Sequence, residues 1–419
     1  MKLSALLKRL GPGFVTGASD DDPAGIATYI QTGAQFGYLQ LWIALLSFPF
    51  MTVIQEMCGR IGLVTGQGLA AVIRNNYARP VLVFVIAIQV VTNTINIGAD
   101  LSAMAESAQL LWHVPYSLLL ALTTFITTAL IVLVPYRNYA TYLKFLGLTL
   151  LTYVISAFTV HVDWRQVLTA TFIPHFQWDK GFILTLIAVF GVTISPYEFF
   201  WQSNEEVEDL VEEGKLEQEE SLPPPTSPAQ VRFLRYDTAF GMFFSNAITF
   251  FVIITAAATL NAHGLTDVQS AAQAAEVLKP LAGAFTFFLF AVGIVSSGLL
   301  AIPVMAGSSA YAIGGAFNWS RTLSKPFWQE WRFYGIIVAS CVIGLLVNVL
   351  HIPPFKLLYY SAVLNGVISP VLIFIVAQIA SNRKIMKQFT NSLFSNVMSW
   401  SLCAFMALAL IAFLVLSPT

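Results

Sequence analysis

Three consecutive aspartates, Asp20, Asp21 and Asp22, lie within a stretch of small and apolar residues that runs over positions 11–29. A single carboxylate at mid-bilayer is costly, and Pro23 and Gly25 directly after the acids disfavour an unbroken helix. Irregular backbone inside a membrane is tolerated only where protein buries it or where it lines a wet cavity. The stretch therefore indicates a polar cavity inside a membrane protein, and a polar substrate or ion is the simplest reason for it.

The composition of the whole chain indicates the same class. Of the 419 residues, 57% are hydrophobic and only 10% are charged, and the mean hydropathy is +0.73. Soluble domains carry roughly 25% charged residues, so we expect an all-α polytopic protein whose main partner is the lipid bilayer. The net charge of −1 says nothing about partners, the sequence contains no basic field for nucleic acid, and no feature indicates a cofactor or an obligate protein partner.

Apolar runs long enough to cross a bilayer, which takes roughly 20 residues, recur along the chain. Proline and glycine mark many of their ends. We predict eleven spans, numbered 1 to 11 in chain order, at residues 11–34, 38–59, 81–111, 116–135, 140–161, 181–209, 236–260, 279–312, 333–351, 355–380 and 397–416.

The distribution of positive charge predicts how these spans are oriented. With a cytoplasmic N-terminus, 17 of the 21 Lys and Arg residues fall in cytoplasmic segments and 4 fall outside. This excess is the positive-inside pattern, and the loss of one span would scramble it. We therefore expect a multi-pass protein of the cell (inner) membrane with its N-terminus in the cytoplasm.

A polar segment at residues 204–231 interrupts the apolar pattern on the cytoplasmic side. Its first part is acidic and helix-forming, and its Pro-rich second part is typical of a disordered linker. We interpret the segment as a solvated loop, with a regulatory metal-sensing role as the alternative.

Spans 1 and 6 are interrupted at corresponding places. Span 1 breaks at Asp22-Pro23 and span 6 at Ser195-Pro196. Two interrupted spans in two five-helix halves indicate an inverted-repeat transporter. We expect residues 11–161 to form the first repeat, residues 181–380 the second, and residues 397–416 a peripheral helix.

A broken helix also supplies a specific chemistry. Its first half ends in unpaired carbonyls at the negative end of the helix dipole, so carbonyls that face a carboxylate make a cation site. For Pro196 a simple kink is an equal alternative. A kink alone leaves the three acids of span 1 unexplained.

Several motifs resemble the natural resistance-associated macrophage protein (NRAMP) family of divalent metal transporters. Gly11-Pro-Gly-Phe, Asp22-Pro23 and Gln31-Thr-Gly-Ala are similar to helix 1 of that family. Ala99-Asp100-Leu101 is similar to its helix 3, and Ser195-Pro196-Tyr197 falls at its helix 6 motif. The resemblance covers nearly the whole chain and implies a LeuT-like fold with a metal site between broken helices 1 and 6.

Departures from the family motifs narrow the resemblance. The family's Asp-Pro-Gly-Asn is here Asp22-Pro23-Ala24-Gly25, so a glycine replaces a ligand asparagine. Its Met-Pro-His is here Ser195-Pro196-Tyr197, without the thioether and the imidazole. Its Asp-Leu-Ala-Glu is here Asp100-Leu101-Ser102-Ala103, which lacks an acid associated with proton movement. These departures resemble the divergent branch of NRAMP-related magnesium transporters.

The side chains around both breaks independently favour a cation held by oxygen. Carboxylate, hydroxyl and backbone oxygens are present, and Met, His and Cys are absent from both break sequences. This donor set suits Mg²⁺, Ca²⁺ or Mn²⁺, and the small residues at 25 and 195 leave room for an ion that keeps waters, as Mg²⁺ prefers. The predicted metal-site residues are Asp20, Asp21, Asp22, Gly25, Thr193, Ser195, Tyr197 and Glu198.

Four more polar residues are candidates for lining the permeation pathway, and each has a structural alternative. Asp100 could instead belong to a structural pair with Glu106, and Asn93 and Asn96 could make hydrogen bonds between helices. Asn365 could satisfy the backbone at a kink before Pro370.

These observations predict a divalent cation transporter that moves Mg²⁺, and Mn²⁺ as well, by alternating access and without proton coupling. The alternatives are a proton-coupled Mn²⁺/Fe²⁺ transporter of the NRAMP type and a carrier of a small organic cation or amino acid. Clustered acids at the break disfavour a substrate that bears a carboxylate. No zinc-protease or nucleophile motif is present, so we do not expect an enzyme.

Overall fold

The computed structural model describes residues 11–134, 148–217, 225–323, 325–348 and 351–416, and these residues form helices without a strand. Short 3₁₀ turns join some of the helices. The α-helices are α1 (Pro12–Ser19), α2 (Pro23–Phe36), α3 (Trp42–Thr65), α4 (Leu69–Asn76), α5 (Arg79–Gln109), α6 (Tyr116–Leu133), α7 (Leu151–Thr159), α8 (Trp164–Phe172), α9 (Lys180–Thr193), α10 (Pro196–Glu212), α11 (Pro228–Thr259), α12 (Ala271–Ala275), α13 (Lys279–Ala282), α14 (Thr286–Phe317), α15 (Trp331–Val347), α16 (Pro354–Ser381), α17 (Arg383–Met386) and α18 (Leu393–Val415).

Eight helical segments within these described residues are long and apolar enough to cross a membrane. Three of the eleven predicted spans are not among the eight. Span 1 consists of the two short helices α1 and α2, and span 9 is the shorter apolar helix α15. The beginning of span 5, residues 140–147, lies outside the described residues. The predicted all-α membrane fold is confirmed.

Both predicted helix breaks are present, and proline explains them. Asp22 and Ser195 adopt extended backbone conformations, with ψ values of 169° and 119°, directly before Pro23 and Pro196. Proline disfavours the helical conformation of the preceding residue, yet it suits the first position of a new helix. Each of the two spans therefore consists of two helices separated by a short extended segment. The first break comprises residues 20–22, between α1 and α2, and the second comprises residues 194–195, between α9 and α10.

The broken helices lie in the centre of the bundle. Helix α11 packs along both α1 and α2, α9 packs on α16, and α10 packs on α3. Close approach depends on glycine, since a Cβ added to Gly17 would lie 2.2 Å from the backbone of Gly241 on α11. Small residues at helix contacts are typical of packing in lipid, where the hydrophobic effect does not drive association.

Large apolar side chains cover the outer surface of the bundle. Phe125 on α6 is 70% exposed and Leu408 on α18 is 65% exposed. Extended exposed apolar surface marks contact with a membrane or a partner. Here it surrounds a centre that contains the buried acids, which is the distribution expected of a protein embedded in lipid.

The segment at residues 204–231 differs in part from the solvated loop expected. Helix α10 continues through its first part to Glu212, and Glu206 and Glu208 are each only 8% exposed. Packing explains the burial, because the apolar Val207 and Leu210 lie on the same helix and join a cluster with α11. Residues 218–224, in the expected linker, lie outside the described residues.

Candidate functional site

The first break ends in a capped helix whose cap is also a candidate ligand. Asp22 is the N-cap of α2, and its Oδ1 accepts a hydrogen bond of 2.6 Å from the Gly25 backbone N–H. A carboxylate at this position satisfies one free N–H and favours the positive end of the helix dipole. The side chain is 1% exposed, so this carboxyl group lies in the interior of the bundle.

Tyr197 on α10 brings the two breaks together. Its hydroxyl donates to the backbone carbonyl of Ser19 over 3.4 Å, and that carbonyl lies at the end of α1. Tyr197 is fully buried. Asp100 of α5 also lies within electrostatic range of Asp22 and close to the Ala24 backbone. Two acids, a phenol and the carbonyl-bearing end of α1 therefore meet at the first break.

Asp20 and Asp21 contact a residue that the sequence did not single out. The Ser245 hydroxyl on α11 lies 2.7 Å from Asp20 Oδ2 and 3.3 Å from Asp21 Oδ1. Glu198 likewise has an unforeseen partner, since Gln55 Nε2 on α3 donates to its Oε2 over 2.6 Å. Neither partner stands in a motif, and only the packing of distant helices brings them to the break.

The two hydroxyl residues at the second break bond to their own helix. Thr193 Oγ1 donates to the Val189 carbonyl and Ser195 Oγ to the Val192 carbonyl, over 2.9 and 2.8 Å. Their oxygens keep lone pairs for a ligand. Another residue missed from the sequence, Ser369 of α16, donates to the Ile194 carbonyl over 3.2 Å. It thereby occupies one of the carbonyls that the break frees.

The asparagine candidates take part in hydrogen bonds between helices. Asn93 donates to the Met305 carbonyl and to Ser309 Oγ, each over 3.0 Å. Asn96 donates to Asn365 Oδ1 over 2.9 Å, which links α5 to α16. These contacts fit the structural alternative for Asn93 and Asn96, and none of them involves Asp22. Asn365 accepts a bond from Asn96, and its side-chain nitrogen has no hydrogen-bond partner among the described residues, so it does not satisfy the backbone at the kink as the alternative for it supposed.

Among the described residues, no three carboxylate, imidazole or thiol side chains lie close enough together to hold a metal ion by themselves. The structure does bring one sulfur near the site. Gly298 on α14 approaches both Met104 of α5 and Pro23, since a Cβ added at Gly298 would lie 2.4 Å from the Met104 sulfur and 3.4 Å from the Pro23 ring. The Met104 sulfur therefore lies close to Pro23.

A cleft opens toward each end of the broken helices. One cleft, of about 240 Å³, lies at the C-terminal half of span 1 and is lined by Gln31, Gly181 and Tyr359. The other, of about 320 Å³, is lined by Gly11 and Asp237 at the opposite end of span 1. The acids at the breaks are buried between the two clefts.

Two broken helices near a group of buried acids, with a cleft at either end, are the architecture of a membrane transporter. The sequence profile described as natural resistance-associated macrophage protein-like matches residues 13–416. This chain belongs to the Nramp family.

The relatives that the sequence matches are named as transporters, which confirms the expectation that the chain is not an enzyme. The divalent metal cation transporter MntH of Verminephrobacter eiseniae is 26% identical over 419 residues, covering 99% of this chain and 90% of that protein. MntH of Bacillus subtilis is 26% identical over 423 residues, covering 98% of this chain and 92% of that protein.

Solved structures show the same fold. A manganese transporter from Eremococcus coleocola superposes with a TM-score of 0.78 at 18% identity, covering 98% of this chain and 87% of that chain. MhsT, solved in complex with L-phenylalanine, superposes with a TM-score of 0.61 at 13% identity, covering 97% of this chain and 98% of that chain. The expected LeuT-like architecture with broken helices 1 and 6 is confirmed.

Proposed function

We propose that this chain transports Mg²⁺, and Mn²⁺ as a second substrate, by alternating access and without proton coupling. The ion binds at Asp22 between the two helix breaks and keeps part of its water shell. The observation that carries the proposal is the set of buried oxygen donors at the two breaks, since neither break sequence contains a sulfur or an imidazole. The sulfur that the structure brings near the site, that of Met104, comes from α5 and packs near Pro23.

The donor set supports a hard cation. Carboxylate, hydroxyl and carbonyl oxygens suit Mg²⁺ and Mn²⁺, whereas sulfur and imidazole favour later transition metals. The carboxylates alone do not close around an ion. Carbonyl and water oxygens would complete its shell, and Mg²⁺ commonly keeps several waters when it binds to protein.

The small residues at the breaks support a partly hydrated ion. A Cβ added at Gly25 would lie 3.3 Å from Asp22 Oδ1 and 3.4 Å from Tyr29, so any larger side chain there would compete with an ion for the space beside Asp22. Gly25 replaces the asparagine ligand of the family motif, and Ser195 replaces its methionine. These replacements support the proposal that the chain belongs to the magnesium-transporting branch of the family.

The proposal that transport is independent of protons rests on Ala103 and Tyr197. These residues stand where the family motifs have an acid and a histidine. The main rival is a proton-coupled Mn²⁺/Fe²⁺ transporter of the NRAMP type, and the buried Asp100 within electrostatic range of Asp22 favours it.

The positive-inside distribution supports a location in the cell (inner) membrane with a cytoplasmic N-terminus. In this orientation the cleft at Gly11 and Asp237 faces the cytoplasm, and the cleft at Gln31 and Tyr359 faces outward. Each cleft is the expected route to the buried site in one phase of the transport cycle.

A competition assay in liposomes tests the substrate assignment. Purified protein is reconstituted into liposomes that enclose a dye whose fluorescence is quenched by Mn²⁺. Mn²⁺ entry is then measured in the presence of excess external Mg²⁺, Cd²⁺ or choline. We expect Mg²⁺ to slow Mn²⁺ entry and choline to have no effect. Inhibition by Cd²⁺ without inhibition by Mg²⁺ would favour the transition-metal alternative, and inhibition by choline would favour an organic-cation carrier.

A further inference from the structure

A buried tyrosine lies one helical turn after Gly25 on α2. Tyr29 is fully buried. A Cβ added at Gly25 would lie 3.4 Å from Cε2 of the Tyr29 ring and 3.3 Å from Asp22 Oδ1. The edge of the ring and the Asp22 carboxylate therefore flank the same small space beside Gly25. Tyr29 was not among the site residues predicted from the sequence.

The hydroxyl of Tyr29 is a polar group that the fold leaves unsatisfied. The charges of Asp20, Asp21 and Asp22 all act on this side chain, so it lies within electrostatic range of the acids at the first break. Its oxygen is buried and has no hydrogen-bond partner among the described residues. Buried tyrosine hydroxyls usually find a partner, and one left without it is costly. Phenylalanine would fill the same space, so the ring alone does not account for the hydroxyl.

A second hydroxyl of the same kind comes from α11. Thr249 is fully buried, and its hydroxyl lies near that of Tyr29, yet neither has a hydrogen-bond partner in the described part of the chain. Thr249 follows by four residues Ser245, whose hydroxyl contacts Asp20 and Asp21. Residues four apart share one face of a helix. Helix α11 therefore presents one hydroxyl to the acids of the break and another, one turn further on, to Tyr29.

Neutral hydroxyls are the groups that a hydrated cation needs around it. The oxygen of a metal-bound water faces the ion, so the water directs its hydrogens outward and requires acceptors. A hydroxyl oxygen accepts such a bond without adding charge. With a metal–oxygen distance of about 2.1 Å and a hydrogen bond of about 2.8 Å, a hydroxyl acts on the ion through its water from about 5 Å away.

We propose that Tyr29 is a further selectivity residue of the transport site. Its ring fills part of the space beside Gly25, and its hydroxyl, together with that of Thr249, accepts a hydrogen bond from a water that the ion keeps. This contact favours Mg²⁺, which gives up its waters reluctantly, over ions that exchange water for protein ligands more readily. The inference rests on the proposed function and extends it to residues outside both breaks.

The relative affinities of two ions test this assignment. Mn²⁺ is titrated onto purified full-length protein in detergent, the free Mn²⁺ is measured by electron paramagnetic resonance, and the Mg²⁺ affinity is taken from the displacement of bound Mn²⁺. Tyr29→Phe keeps the ring and removes the hydroxyl. We expect it to weaken Mg²⁺ binding about fivefold, the change that one lost hydrogen bond produces. Mn²⁺ binding should change much less, because Mn²⁺ replaces a water with a carboxylate or carbonyl more readily.

Two further variants separate the loss of the hydroxyl from damage to the fold. Thr249→Val removes the neighbouring hydroxyl at nearly constant shape and should weaken Mg²⁺ binding in the same direction. Tyr153→Phe is the matched control, since Tyr153 is also a buried tyrosine, 2% exposed, on the helix α7 that carries none of the site residues. It should bind both ions as the wild type does. Each variant is used only if it elutes as a single species in size-exclusion chromatography, and Thr249→Val carries the test where Tyr29→Phe does not fold.

The outcomes distinguish this inference from the proposed function. A tyrosine that only supports the fold would weaken both ions equally when altered. Equal weakening of Mg²⁺ and Mn²⁺, or unchanged Mg²⁺ binding in Tyr29→Phe, would overturn the inference and leave the proposed function standing. A wild-type chain that binds no Mn²⁺, or whose bound Mn²⁺ is not displaced by Mg²⁺, would instead contradict the proposed function itself.

Discussion

Asp22 has a structural and a chemical role at the same position. It caps α2 through the Gly25 N–H and presents a buried carboxylate between the two helix breaks. The helix cap by itself contributes about 1 kcal/mol to stability, and asparagine caps a helix equally well. A carboxylate at this depth costs far more than the cap contributes, so capping alone does not explain it, and the proposed role of Asp22 is to bind the transported cation.

Removing the charge of Asp22 should abolish transport. We expect Asp22→Ala and Asp22→Asn to lower Mn²⁺ uptake into liposomes by more than about tenfold, because even outer partners of a metal change its affinity by about 10–100-fold. Asp22→Asn keeps the helix cap, so a loss there reports the ligand and not the fold. Asp163→Ala, at the exposed N-cap of α8, is the control and should transport normally. Near-normal uptake in Asp22→Asn would remove Asp22 from the site.

Exchanging the residues at 25 and 195 should change selectivity. Gly25→Asn adds an oxygen beside Asp22 and narrows the site, and Ser195→Met adds a soft sulfur that Mg²⁺ does not favour. We expect the double variant to transport Mg²⁺ more weakly and Cd²⁺ to inhibit its Mn²⁺ uptake more strongly than in wild type. Each single variant should change less, since neighbouring effects are not additive. Unchanged Mg²⁺ flux in a folded double variant would show that these positions do not line the site.

Some residues of the site were predictable from the sequence because they adjoin a proline in an apolar run. Asp22 and Tyr197 belong to this group, and the structure brings them to one place. Ser245, Gln55 and Ser369 were not predictable. Ser245 and Gln55 lie on continuous helices with no local signal, and only tertiary packing makes them different from other polar residues of membrane helices. Ser369 does precede Pro370, but α16 continues through that proline, so the sequence did not mark a break there.

At the scale of helices, α1 is held by α11 at both ends. Asp237 of α11 accepts hydrogen bonds from the Gly11 and Phe14 N–H groups, over 2.9 and 3.2 Å. At the other end of α1, Ser245 of the same helix bonds to Asp20. A carboxylate at a helix N-terminus satisfies free N–H groups and the dipole together, so α1 moves away from α11 only if these bonds break.

Loosening the Asp237 contact should open the end of the bundle near Gly11. A lost cap costs about 1 kcal/mol, which corresponds to about a fivefold change in an equilibrium. In a chain whose three native cysteines are replaced, Asp237→Ala should raise the rate of maleimide labelling at Thr16→Cys about fivefold. Glu213→Ala is the control, because Glu213 lines the same cleft and pairs with Lys215 at the surface. Equal labelling in Asp237→Ala and in its parent would show that this contact does not hold α1.

Helix boundaries were predictable where proline or polar residues end an apolar run. Helix α16, Pro354–Ser381, lies close to the predicted span at 355–380. The sequence did not indicate that α10 continues as a buried helix to Glu212, since an acidic run suggests exposure. Burial there comes from Val207 and Leu210, whose neighbours are distant in the chain.

At the scale of the whole molecule, the buried acids lie between two clefts within a bundle whose outer surface is apolar. This arrangement fits a protein that exposes one mid-membrane site to each side in turn. The division into repeats at residues 11–161 and 181–380 remains a prediction, and so does the cytoplasmic position of the N-terminus.

Metal entry should not move protons. The acid and the histidine of the family motifs are here Ala103 and Tyr197, and we expect the intraliposomal pH to stay constant while Mn²⁺ enters. The measurement uses a pH-sensitive dye trapped in the liposomes, with a proton ionophore as the positive control. Acidification that scales with metal flux and disappears in Asp22→Asn would establish coupling, and Asp100, the remaining acid beside Asp22, would then be the first candidate to carry it.

The most direct test of the account is Mg²⁺ entry itself. Wild-type protein and the Asp22→Asn variant are reconstituted into liposomes that contain a Mg²⁺-sensitive dye, and external Mg²⁺ is raised stepwise. The account predicts saturable Mg²⁺ entry in wild type, slowed by external Mn²⁺ and absent in Asp22→Asn. Mn²⁺ entry without Mg²⁺ entry in wild type, or equal Mg²⁺ entry in both proteins, would contradict it.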